Sequence, residues 1–311
     1  MYAASNQEEF TALRTLLCSL GQIVLQSNAF TGACLIAAWL VCDPRLACAA
    51  LTGAVAANVG AVLAGHNEAN TREGLHGFNG ALAGLAAFTF IADDATAAAV
   101  AILAGLATAW GLEPWSGWLR TRGLSVYSSP CLIVTWLWLP LVKRGDTPPA
   151  PAHLATFSHV PDGLLAGLAQ TGFASGAIAG VLVLAGIAAS SWRLAAWALA
   201  GASVSSAAHL LLGASAAAFD AGLLGFNGAL TALALADTGW IAALGGIVLA
   251  VILQQAAGYY GLPVMTAPFV AAAWSAQALV RRRRGERAAA PLKPAGLRRP
   301  PRSVTRPLDV R

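Results

Sequence analysis

Five polar side chains stand in stretches otherwise built of Ala, Leu, Val and Gly. Gln22 lies in Gly21-Gln22-Ile23-Val24-Leu25, and Gln170 in Ala169-Gln170-Thr171-Gly172-Phe173. A carboxamide offers two donors and an acceptor, and leaving it unpaired among apolar groups costs free energy. Each Gln therefore either bonds a neighbouring helix or meets a polar solute. Asn79 and Asn227 each sit in Gly-Phe-Asn-Gly, where an amide can cap backbone groups at a helix break or contact the solute directly. Phe78 with Leu82, and Phe226 with Leu230, are four residues apart and share a helix face, as core or as lining. Thr135, in a Trp-rich run, can bond its own helix backbone or present its hydroxyl outward.

The absences narrow the chemistry. Asp93, Asp94, Glu113, Asp220 and Asp237 all fall at the ends of apolar segments, and no Asp, Glu, Lys or Arg lies mid-segment. Ion-coupled transporters and proton relays depend on such residues. A membrane enzyme needs a nucleophile, base or metal cluster inside the bundle, and the five histidines are scattered. No catalytic residue, metal site or cofactor is therefore expected. Neutral amides, a hydroxyl and aromatic faces suit a small, flat, uncharged polar solute. Hydrated ions would lose their shell with nothing charged to replace it.

These residues are positioned by elements that belong in a bilayer. Of 311 residues, 57% are hydrophobic and 11% charged, with a mean hydropathy of +0.65. A soluble domain of this size needs more charge on its surface. Apolar runs between polar punctuation predict ten segments. They are 13–41, 46–65, 74–92, 95–112 and 124–142, then 163–189, 192–212, 222–237, 239–257 and 262–280. Glu8 and Glu9 stand where a leader peptide would be basic, so the first apolar run is expected to remain as a membrane segment. Cys18, Cys34, Cys42, Cys48 and Cys131 form no C-x-x-C pair and read as small buried hydrophobes.

The formal charge of +5 is unevenly spread: residues 281–311 carry +9 and the rest of the chain −4. Arg281-Arg282-Arg283-Arg284 follows the last segment directly, as a cytoplasmic anchor touching anionic lipid headgroups would. The tail lacks the aromatic residues and folded frame of a nucleic-acid binder, and its Pro and Arg content predicts disorder. No nucleic acid is expected as a partner.

An internal repeat organises the chain. Gly74-Leu75-His76-Gly77-Phe78-Asn79-Gly80-Ala81-Leu82-Ala83-Gly84-Leu85-Ala86 returns 148 positions later, with ten of thirteen residues identical. The same offset pairs Gln22 with Gln170, and an offset of 138 pairs Pro130–Trp136 with Pro268–Trp274. The expected organisation is a first repeat at 1–142, a linker at 143–162, a second repeat at 163–280 and the basic tail at 281–311. Five crossings per repeat would make the copies inverted. Placing the tail in the cytoplasm then puts the N-terminus there too, with Arg14, Arg72, Arg120, Arg122 and Arg193 inside and Arg45, Lys143 and Arg144 outside.

The doubled Gly-Phe-Asn-Gly-Ala-Leu motif and the Pro-x-x-x-x-Thr-Trp element at 130–136 resemble those of the urea transporter family. The resemblance covers nearly the whole chain to about residue 280. It implies an all-α membrane fold of two inverted five-segment repeats with partial-depth pore helices. It further implies a bacterial inner-membrane homotrimer with one passive, channel-like urea pore per subunit. By resemblance, Gln22, Leu25 and Leu82 form a cytoplasmic-side urea site, and Gln170, Phe173 and Leu230 an extracellular-side site. Phe78 and Phe226 flank the filter, and Thr135 faces its centre. The sequence departs from the family at Leu25, often Phe, and at Ala273, where a second central Thr is the pattern. The alternative is a channel for another neutral solute, ammonia or a short amide. Against ammonia, His76 aligns with Leu224 and not with a second pore histidine.

Overall fold

The computed structural model of the chain describes residues 2–142 and 160–289, with side chains over 11–142 and 160–283. Most of the linker, 143–159, and most of the basic tail, 290–311, lie outside the described residues. The first half runs α1 (Tyr2–Gly21), α2 (Ala29–Cys42), α3 (Pro44–Leu63), α4 (Glu68–Arg72), α5 (Gly77–Phe90), α6 (Asp94–Thr121) and α7 (Ser129–Trp138). The second runs α8 (Val160–Ala169), α9 (Ala177–Ser190), α10 (Trp192–Leu211), α11 (Ala216–Asp220), α12 (Phe226–Leu235), α13 (Trp240–Tyr259) and α14 (Ala267–Ala289). No strand occurs among the described residues. Helix α14 carries the four consecutive arginines as helix and ends at Ala289.

Local polar groups set the helix starts. Asn28 Oδ1 accepts from Phe30 N at 2.8 Å to cap α2, and Asp43 accepts from Arg45 N at 2.9 Å just before Pro44 opens α3. Asp93 accepts from Thr96 N at 2.8 Å at the head of α6. Each satisfies an amide that the helix itself leaves without a partner. The Thr96 hydroxyl and amide hold the Asp93 carboxyl below the usual range.

The segments predicted at 13–41 and 163–189 are each two helices meeting at a sharp bend, 75° between α1 and α2 and 67° between α8 and α9. Both breaks have one cause. A single 3-10 turn follows the first helix, Gln22–Val24 or Gln170–Gly172, and a left-handed residue closes it. Those residues are Leu25 (φ 60°) and Phe173 (φ 61°). A left-handed residue turns the backbone away from the helix axis.

Helices α3, α6, α10 and α13 are long and apolar enough to cross a membrane, and each bent pair meets the same test when taken together. Helices α5, α7 and α12 have 14, 10 and 10 residues, or about 15–21 Å of length against a ~30 Å hydrocarbon core. They are shorter than the segments predicted at 74–92, 124–142 and 222–237, because turns at the positive-φ residues Gly74, Tyr127 and Gly222 occupy the polar ends of those stretches. Helix α6 instead outruns its predicted end at 112, passing through Pro114 to Thr121.

Helix α5 packs against α3, and α12 against α10, at backbone contact distance. A Cβ on Gly80 would stand 2.4 Å from the Gly53 carbonyl oxygen, and one on Gly228 would stand 2.4 Å from that of Gly201. Only glycine permits this approach. The halves meet through α2 and α9, where Thr31 Oγ1 donates to Gly186 O at 2.8 Å. Trp39 Nε1 also donates across the halves, to Gly172 O at 2.7 Å.

The outer surface is apolar. Val55, Val59 and Val62 of α3 form an exposed stripe, as do Ile241, Leu244, Val248 and Ile252 of α13. Such stripes at helical spacing face lipid. Trp192, Trp240, Tyr259 and Tyr260 are exposed at helix ends, where amphipathic rings sit at a bilayer interface. All five cysteines are free. Cys18 and Cys131 are buried, whereas Cys48 is exposed on α3.

Candidate functional site

The breaks after α1 and α8 place the two glutamines. Each is the first residue of its 3-10 turn and is half-buried. Gln22 Nε2 donates to Glu73 O at 3.3 Å, and Gln170 Nε2 donates to Ala221 O at 3.2 Å. The bonds are equivalent, each spanning 51 residues to the loop ahead of the Gly-Phe-Asn-Gly motif. With the NH2 end fixed in this way, Oε1 is the remaining acceptor. Among the described residues no group donates to it in either Gln. Ser27 Oγ also donates to Glu73 O, at 2.9 Å.

Leu25 and Phe173 stand in the same left-handed conformation, which costs a non-glycine residue roughly 1–3 kcal/mol. Both are half-buried against one large apolar cluster that contains Phe78, Leu82, Ile23 and Val24. Leu25 also packs on a second cluster, formed by Tyr127, Leu132, Leu230, Phe269, Val270 and Ala273. Leu25, Phe78, Leu82 and Phe173 thus share one extended apolar cluster, and Leu25 also touches the cluster that holds Leu230. Phe226, half-buried at the start of α12, belongs to neither cluster.

Asn79 and Asn227 are committed to backbone groups. Asn79 Nδ2 donates to Tyr127 O at 3.2 Å, and its Oδ1 accepts from Cys131 N at 3.0 Å. Asn227 Nδ2 donates to Met265 O at 3.2 Å, and its Oδ1 accepts from Phe269 N at 3.3 Å. Tyr127 and Met265 are the left-handed residues just before α7 and α14. Each amide thus ties α5 or α12 to the start of α7 or α14 and satisfies one of that helix's unpaired first-turn amides.

Thr135 is fully buried in α7, its Oγ1 3.8 Å from the Cys131 thiol one turn earlier. Its counterpart Ala273 is fully buried against Leu230, Phe269 and Val270. Three relevant side chains escaped the sequence reading. Gln254 Oε1 accepts from Asn227 Nδ2 at 2.9 Å, while its Nε2 donates to Leu223 O at 2.8 Å. The hydroxyls of Ser128 and Thr266 share a buried 2.7 Å hydrogen bond between the loops that open α7 and α14. The amide of Gln254 inside an apolar segment was a visible signal. Ser128 and Thr266 gave none, since hydroxyls are common at helix starts.

The family model for the urea transporter matches residues 13–281, most of the chain. The chain belongs to the urea transporter family. It is accordingly an integral membrane protein whose family moves urea across membranes and does not catalyse a reaction. A search of curated proteins gives no match. The match extends into α14 as far as Arg281 and takes in every candidate residue described above.

Proposed function

We propose that the chain forms a passive, channel-like urea pore with two related solute sites. Gln22, Leu25 and Leu82 make one site, and Gln170, Phe173 and Leu230 the other, with Phe78 and Phe226 at the ends and Thr135 in the centre. The observation that carries this reading is the matched state of the two glutamines. Each has its NH2 group pinned to a backbone carbonyl and its Oε1 open. An open neutral oxygen accepts from a urea N–H, while the apolar side chains beside it contact the two faces of the flat solute. A cation gains too little from one neutral oxygen to replace its water shell.

The two halves are inverted in this reading. Arg45 pairs with Asp94, and Arg193, its equivalent 148 residues on, pairs with Asp237 at 3.2 Å. In ten alternating crossings the first pair lies outside and the second inside. Both chain ends are then cytoplasmic, in a bacterial inner membrane, and the subunit assembles as a homotrimer among lipids with one pore each.

Stopped-flow urea efflux from proteoliposomes tests the function, compared with thiourea, formamide, ammonia and water. Efflux that saturates weakly and is indifferent to a collapsed proton gradient is the expected result. Dependence on that gradient, or preference for ammonia over urea, would refute it.

A further inference from the structure

Three ionisable side chains meet away from the proposed pore, where the loop after α3 passes beneath α6. Thr71 Oγ1 lies 3.2 Å from Asn67 O and 3.0 Å from His76 Nδ1. The hydroxyl proton is spent on the Asn67 carbonyl, so the oxygen accepts from His76 Nδ1–H. In that tautomer Nε2 carries a lone pair. His76 is fully buried, and its Nε2 has no hydrogen-bond partner. It points at Glu113 Oε1, 3.5 Å away. Two acceptors facing each other at that distance repel unless a proton or a metal ion lies between them.

The spacing suits a metal. Ligand bonds of about 2.0–2.1 Å at a tetrahedral angle separate donor atoms by about 3.3–3.4 Å. The His66 ring stacks on that of His76, with centroids 5.3 Å apart and planes 6° apart, and its Nε2 is likewise buried without a partner. One donor atom from each of His66, His76 and Glu113 lies within 4.8 Å of the others. His66 also lines a cavity of about 1200 Å³ whose wall combines Asn58, Glu68 and Thr71 with the lipid-facing Val55, Val59 and Val62, so its polar end borders the site.

We infer that His66, His76 and Glu113 bind a divalent transition-metal ion of the zinc class. Two imidazoles and one carboxylate match Zn2+, Co2+ or Ni2+ and are a poor set for Mg2+ or Ca2+. The Nδ1–H bond to Thr71 is the outer support that orients a metal-bound imidazole. The site belongs to the first half alone, because the positions 148 residues on are Ala214 and Leu224. It clamps the end of α3, the start of α5 and α6, and it holds the loop whose Glu73 carbonyl anchors Gln22. Binding itself does not depend on what the pore carries.

The test uses the purified, tag-free full chain, stripped with chelator and titrated with Co2+ and then Zn2+. One Co2+ per chain is expected, with the visible absorption of a tetrahedral site, displaced by Zn2+. His76→Leu, which installs the residue found at 224, should weaken binding at least about tenfold. Glu113→Gln makes the same test at a partly exposed position should the first variant fail to fold. A His153→Ala/His159→Ala double variant should bind normally. Absence of stoichiometric binding, full affinity in either site variant, or loss in the double variant would overturn the proposal.

Discussion

Ser128 and Thr266 stand 138 residues apart at matching positions of the two halves, and their buried hydroxyls bond to each other at 2.7 Å. That bond joins the entrances of α7 and α14, the helices whose first turns Asn79 and Asn227 hold in place. Ser128→Ala leaves the Thr266 hydroxyl buried without its partner, a penalty of about 1–3 kcal/mol. Adding Thr266→Val removes the orphaned group, so the double variant should be no less stable than Ser128→Ala. Thermal unfolding followed by tryptophan fluorescence reads both, and a strictly additive loss would mean the bond contributes nothing.

Gln22→Ala and Gln170→Ala each delete one open acceptor. A hydrogen bond worth about 1 kcal/mol corresponds to roughly a fivefold change. Urea efflux should fall by about that factor in each variant, with folding intact, since each Gln bonds only one loop carbonyl. Unchanged efflux would remove that residue from the site.

Asn79→Ala strips partners from the Tyr127 carbonyl and the Cys131 amide together. Two orphaned buried groups at about 1–3 kcal/mol each predict a severe loss of stability. Asn79→Asp keeps the acceptor for Cys131 N but loses the donor to Tyr127, and it adds a buried charge, so it should not rescue. Yield of monodisperse protein and the melting midpoint measure both. A stable, fully active Asn79→Ala protein would argue for a solute-contacting role instead.

Ala273→Thr adds a hydroxyl at the repeat counterpart of Thr135, in the centre of the proposed pore. Because Ala273 is packed against Leu230, Phe269 and Val270, the added atom has to point into the solute path or be accommodated by movement. A change in urea conductance or in thiourea preference is the expected readout. If neither changes while the protein stays folded, position 273 does not face the solute.

Acid should weaken the start of α6. Asp93 has a folded-state pKa below its ordinary value because the charged form accepts from Thr96. Its contribution is therefore complete above the ordinary carboxylate range and disappears as pH falls through the lowered folded value. Asp93→Asn, which retains an acceptor without titrating, should flatten that acid-side loss in a melting series.

The sequence by itself determined the solvent and the family. Uncharged runs set the membrane class, and the doubled Gly-Phe-Asn-Gly motif carried the resemblance that the family match over 13–281 bears out. It also picked out Gln22, Gln170, Asn79 and Asn227, since an amide inside an apolar run stands out by composition alone. Tertiary structure decided what those amides bond. The 13–41 segment read as one continuous apolar run, because hydropathy does not register the single left-handed residue, Leu25, that breaks it. The Ser128–Thr266 bond and the meeting of His66 and His76 with Glu113 were equally invisible. They arise from contacts made after the helices pack, between side chains whose positions along the chain carry no shared period. Sequence spacing reports neighbours within one helix, whereas chemistry across this fold depends on which helix ends are brought together.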